Sequence, residues 1–174
     1  MAFNIDVQLA CDSQLLPLSR KTIIKNIEHW VGQALKFTGV MWLRSQPWHA
    51  SESFSHAAQL TVRIVDIDEG ESLNRTYRSG QSATNVLSFP FDDPFQLAPP
   101  LLGDIVICAP VLISEANQQN KDLAAHWAHL VVHGVLHLLG YDHLDDEQAS
   151  VMEAQEINIL ALLGYANPYS EQDA

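Results

Sequence analysis

Apolar and polar positions alternate with period two over residues 3–10 (FNIDVQLA) and again over 59–66 (QLTVRIVD). Each stretch predicts a strand with one buried face. Over residues 20–37 the period changes to that of a helix, with Ile23, Ile27, Trp30, Val31, Ala34 and Leu35 in one stripe. Pro17 and Ser19 introduce that helix, and Gly39 is its expected stop. From Trp42 to His56 no period is visible, and Pro47 with several serines predicts a loop or insert. A short helix is expected near 69–77, then a turn at Ser79-Gly80. Asn85 to Phe89 is a short strand ended by Pro90, residues 91–100 form a proline-rich loop, and Gly103 to Cys108 is another strand. Pro110 opens a helix that ends before Lys121, and Asp122 to Leu139 forms a long apolar one. Asp145 caps the last helix, which runs to about Leu163, with acids in its first turn and Gly164 at its end.

Strands and helices interleave, which predicts an α+β (mixed α/β) fold. The expected architecture is a small twisted mixed sheet of about four strands, with helices mainly on one face. The helix over 122–139 should be central, because Leu123, Trp127, Leu130, Val131 and Leu138 give it an apolar side. No repeat or linker divides the chain, so one domain over 1–174 is expected.

Composition narrows the setting. The hydrophobic share of 47% is that of an ordinary globular protein. The first residues, MAFNIDVQLACDS, carry neither a basic leader nor a long apolar run, so no secretory signal and no membrane association are expected. Cys11 and Cys108 lie in apolar surroundings without a CxxC partner, which suits buried free thiols in a reduced, cytoplasmic setting. The net charge of −12 argues against a protein that coats nucleic acid non-specifically, and DNA is not an expected partner. A local basic cleft is compatible with it.

The candidate chemistry sits in one run, HGVLHLLGYDH, from His133 to His143. Residues i and i+4 of a helix differ by about 40° and about 6 Å along the axis, so the imidazoles of His133 and His137 share a face. A continued helix would turn His143 away. Gly140 can take the left-handed conformation that ends a helix, and the chain can then return His143 to the same point. Three neutral imidazoles suit zinc, with a fourth position left open, as in catalytic sites. His129 and His137 are about 12 Å apart along the axis, too far to share one ion. His129 is therefore either a residue supporting the ligands or a core residue, and His126 is a surface or packing residue.

An open zinc site makes hydrolysis the first reaction to consider. The spacing HxxxHxxGxxH is shared with metzincin proteases, whose general base is a glutamate directly after the first histidine. Here that residue is Gly134. Glycine accepts no proton, which turns the expectation away from proteolysis.

HGVLHLLGYDH, preceded by AHWAHLVVHG and accompanied by SLNRTYRSGQSATNVLSFPF and LLGDIVIC, resembles the bacterial YbeY endoribonuclease family. The likeness spans about residues 59 to 169 in three blocks in order, and is looser over the first 55 residues. It implies a metal-dependent single-strand endoribonuclease of ribosomal RNA maturation, including the 3′ end of the small-subunit RNA, and of ribosome quality control. Ribosomal particles and assembly proteins are the partners it implies. It assigns His133, His137 and His143 to a metal ion and makes Arg78 the functionally important arginine. A guanidinium there suits the chemistry, because phosphodiester cleavage gathers negative charge on non-bridging oxygens that a fork of donors can hold. Arg63 and Arg75 complete the densest arginine group and are candidate RNA contacts or surface charges. Asn85 and Ser88 either orient substrate or satisfy backbone groups; Asp142 either orients an imidazole or solvates a turn. The competing readings are a non-catalytic zinc-binding assembly factor and a metallopeptidase-like hydrolase.

Overall fold

The computed structural model describes residues 3–45, 58–92 and 101–170. Strands β1 (Phe3–Leu9), β2 (Ala58–Val65), β3 (Val86–Pro90) and β4 (Leu101–Cys108) form one sheet in the order β1-β2-β4-β3. β1, β2 and β4 run parallel, and β3 joins the edge antiparallel to β4. The helices are α1 (Arg20–Ser45), α2 (Ile67–Arg78), α3 (Ala109–Gln118), α4 (Leu123–Leu138) and α5 (Asp146–Leu162). The expected mixed fold is the one observed.

Alternation along the strands decides which face each helix covers. Ala58, Leu60, Val62 and Ile64 of β2, with Ile105 and Ile107 of β4, point into the main core against α1 and α4. α5 packs on α4 and α1 from outside, so α4 lies between sheet and helix. That position accounts for its nearly continuous apolar sequence: Trp127, Val131, Val132, Val135 and Leu136 are all buried. On the opposite face Val65, Leu87, Val106 and Cys108 form a smaller cluster, against which Leu73 of α2 and Val111 of α3 pack. α2 covers only part of that face. Beside it Gln8, Thr61, Arg63, Tyr77, Phe89 and Asp104 line an open depression of about 570 Å³.

Two expectations shift. α1 continues through Gly39 to Ser45. Glycine ends a helix only where the chain adopts the left-handed turn; inside a helix it costs about 1 kcal/mol relative to alanine, which a helix of 26 residues tolerates. β4 begins at Leu101, two residues earlier than expected, because its register with β2 extends to Gln59. The serine-rich stretch after Ser45 and the proline-rich loop from residue 93 lie outside the described residues. Cys11 and Cys108 are both buried free thiols.

Candidate metal centre

α4 is capped at its start by Asp122, whose carboxylate accepts the Ala125 amide at 2.8 Å. It ends as the glycine predicts. Gly140 has φ +89°, its N–H bonds the His137 carbonyl at 3.0 Å, and the Tyr141 N–H bonds the Leu136 carbonyl at 3.0 Å. That pair of bonds closes the helix and reverses the chain. A Cβ on Gly140 would meet nothing within 4 Å, so the requirement there is conformational.

The reversal brings three imidazoles together. Nε2 of His133 and Nε2 of His137 are 3.1 Å apart, and one ligand atom from each of His133, His137 and His143 lies within 4.8 Å of the others. The ring centroids are 4.5 Å apart for His133–His137, 5.0 Å for His137–His143 and 5.6 Å for His133–His143. Nitrogen donors about 2.0–2.1 Å from a tetrahedral ion are separated by roughly 3.3 Å, so modest side-chain adjustment suffices to hold a metal. Burial, then the neighbouring His133 and His143, lower the proton affinity of His137, which favours the neutral ring that ligation needs. His143 is exposed and gives the cluster an open side.

Behind His133 stands Glu156, fully buried on α5. Its Oε1 is 2.7 Å from His133 Nδ1 and its Oε2 is 2.9 Å from His129 Nε2. The Tyr169 hydroxyl also donates to Oε2. Burial alone would raise the carboxyl, but the bonds with His129 and His133 outweigh it and hold it at about 2. Sequence reasoning missed Glu156 and Tyr169. The available signal was a carboxylate inside an apolar stripe, since Glu156 shares a helix face with the buried Met152, Ile159 and Leu160.

Gly134 has a packing reason that its chemistry does not reveal. A Cβ there would lie 2.8 Å from Cγ2 of the buried Ile105 on β4. The helix therefore rests on the sheet through a bare backbone, and position 134 has no space for the glutamate of a metzincin.

These local features and the sequence converge on one family. A family model described as endoribonuclease YbeY matches residues 19–164. The chain is 47% identical over 169 residues to the endoribonuclease YbeY of Cellvibrio japonicus (strain Ueda107), covering 97% of this chain and 84% of that protein. The chain belongs to the YbeY endoribonuclease family. Membership makes it a nuclease, a hydrolase of RNA. Among solved structures, the solution structure of TM1509 from Thermotoga maritima is similar with a TM-score of 0.47 and 21% identity, over 96% of this chain and 99% of that one.

The other expected residues of this YbeY chain are spread over both sides of the sheet. Arg78 is exposed at the C-terminal end of α2, just before Ser79, whose φ of +54° turns the chain toward β3. No carboxylate among the described residues pairs with it. Next to it, the Tyr77 ring packs edge-on against Phe89 of β3 at 5.1 Å. Ser88 pairs with Ile105, the residue under Gly134, and so faces α4. The end of α2 and the α4 helix thus approach the same edge strand from opposite sides.

Arg63 lies on the sheet face away from α4 and is already engaged, with bonds of 2.7 and 3.1 Å to Glu69 and 2.9 Å to Gln8. Arg75 pairs with Glu71 at 3.2 Å on an exposed helix face. The Asn85 amide donates to both oxygens of Glu115 at 3.0 and 3.2 Å, and its Oδ1 accepts the Val86 N–H at 2.7 Å. Glu115 also meets His126 Nε2 at 3.0 Å, which makes His126 a buried packing residue. Asp142 accepts the backbone N–H of His143 at 2.8 Å, shaping the turn that carries the third histidine.

Proposed function

We propose that this chain is a zinc-dependent single-strand endoribonuclease acting in ribosomal RNA processing, including maturation of the 3′ end of the small-subunit RNA, and in ribosome quality control. Residues 1–174 serve as one metal-dependent endoribonuclease domain. The observation that carries this reading is the convergence of His133, His137 and His143, inside a chain of the YbeY endoribonuclease family. Three imidazole nitrogens and no thiolate suit zinc with a coordination position open to substrate. Zinc there supplies Lewis-acid polarisation of a phosphoryl oxygen.

The chain's own residues do the rest. His133, His137 and His143 hold the ion. Arg78, unpaired among the described residues, offers its guanidinium to the non-bridging oxygens as charge builds on them. An RNA strand crossing the β3 edge runs between the end of α2 and α4, with Ser88 on the α4 side. Asn85 supports Glu115, and Arg63 and Arg75 form a weaker electrostatic fringe, since each already has an acidic partner. Partner ribosomal particles and assembly proteins bring RNA to the cleft, consistent with a chain whose net charge is −12. Among the described residues no helix is long and apolar enough to cross a membrane.

The test is single-turnover cleavage of purified precursor ribosomal RNA by wild type, His137→Ala and Arg78→Ala, with stringent nuclease controls. Wild type should cleave and both variants should not. Arg78→Ala should keep its metal, and Arg78→Lys should recover only part of the rate, because an ammonium lacks the fork geometry. Equal rates for all proteins defeat the assignment.

A further inference from the structure

Glu156 is the one fully buried acidic residue among the described residues, and its environment is asymmetric with respect to the three histidines. A buried carboxylate is tolerated only when donors surround it. Glu156 has three: His133 Nδ1 on one oxygen, and His129 Nε2 with the Tyr169 hydroxyl on the other. Each must donate, because an ionised carboxylate only accepts. The proton of His133 is therefore fixed on Nδ1, and its lone pair on Nε2, the atom 3.1 Å from Nε2 of His137. Nδ1 and Nε2 lie on different edges of the ring, so Glu156 stands behind the ligand and cannot itself reach the ion. Among the described residues no carboxylate bonds the ring of His137 or His143.

Tyr169 arrives from beyond α5. The Asn167 side chain accepts the Tyr169 N–H at 2.9 Å, and the Asn167 carbonyl accepts the Ser170 hydroxyl at 2.8 Å. This turn sends the Tyr169 hydroxyl back onto Glu156, with the ring edge-on to His129 at 5.5 Å. The C-terminal turn thus reaches the metal centre through one carboxylate.

We propose that Glu156 is a positioning residue of the metal centre, locked by Tyr169 and His129 so that it sets the tautomer and orientation of His133. This rests on the reading that the histidines hold a metal. Partners of this kind change metal affinity by about 10- to 100-fold without touching the ion.

The experiment measures zinc dissociation constants by chelator competition, the visible spectrum of the cobalt-substituted protein, and melting of the metal-free form. Wild type is compared with Glu156→Gln and Tyr169→Phe. Glu156→Gln should weaken zinc about 10- to 100-fold. Tyr169→Phe removes one of the three donors to the buried carboxylate and keeps the ring, so the metal-free protein should stay folded and melt only modestly lower than wild type. It should still bind zinc several-fold more weakly and shift the cobalt bands. Wild-type affinity and spectrum in both variants overturn the proposal. If Glu156→Gln does not fold, Tyr169→Phe decides alone by the same criteria. A wild-type protein that binds neither zinc nor cobalt defeats the metal reading itself, and this inference with it.

Discussion

Gly134 and Ile105 are packed so closely that a Cβ on the glycine would lie 2.8 Å from Cγ2 and 3.1 Å from Cδ1 of the isoleucine. Ile105 is fully buried and β-branched, so it has little freedom to retreat. This contact sets how near α4, and with it His133, approaches the β4 strand. It also gives Ser88, the antiparallel partner of Ile105, its place beneath the helix.

Gly134→Ala should therefore destabilise the fold by about 1–3 kcal/mol, the usual cost of overpacking, less a gain of up to about 1 kcal/mol in helix propensity. Ile105→Ala alone should cost about 2–5 kcal/mol. The two changes should couple, with the double variant less destabilised than the sum. Denaturant unfolding of the four proteins measures this, and strict additivity refutes the contact.

Removing a ligand should remove the ion. His137→Ala leaves two imidazoles, too few to hold zinc against buffer competition. The purified variant should contain far less zinc by elemental analysis. Its melting temperature should match that of chelator-treated wild type, because metal bound only to the folded state stabilises it by mass action. Full zinc content in the variant contradicts the assignment.

Asn85 should behave as a structural residue. Its amide bonds both Glu115 oxygens, and its Oδ1 takes the first amide of β3. Asn85→Ala strips those partners from half-buried groups and should cost about 1–3 kcal/mol of stability. Cleavage per folded molecule should fall much less than with Arg78→Ala. A stable Asn85→Ala protein that fails to cleave would return this residue to the RNA interface.

Binding to naked RNA should depend only weakly on salt. Each phosphate neutralised on a single strand adds roughly 0.7 to the slope of log affinity against log salt. Arg63 and Arg75 already have acidic partners, so Arg78 and one or two lysines remain to meet phosphates. The slope should lie between roughly 1.4 and roughly 2.1 by that rule. Ribosomal particles or assembly proteins should improve cleavage at the correct site. Tight, steeply salt-dependent binding by the isolated protein, with correct cleavage and no partner, defeats this expectation.

What the sequence determined by itself is what backbone periodicity controls. Period two marked β1 and β2, and a 3.6-residue stripe marked the core face of α1. The four-residue spacing of His133 and His137 with Gly140 behind them predicted three converging imidazoles, because every step is local to one helix and its turn. Chemistry read from type alone also held for Gly134, which accepts no proton. Tertiary structure decided the rest. Glu156 is 23 residues from His133 in the chain, and Tyr169 is 13 beyond Glu156. No spacing rule links them, since their meeting depends on how α5 docks on α4 and how the C-terminal turn folds back. The sheet's two faces sent Arg63 away from α4 although it lies in the same arginine-rich stretch as Arg78. Gly39, a stop signal when read alone, was overridden because a glycine ends a helix only where the backbone turns left-handed. The closeness of Gly134 to Ile105 likewise exists only after α4 docks on the sheet, because side-chain volume acts between elements that sequence order leaves apart.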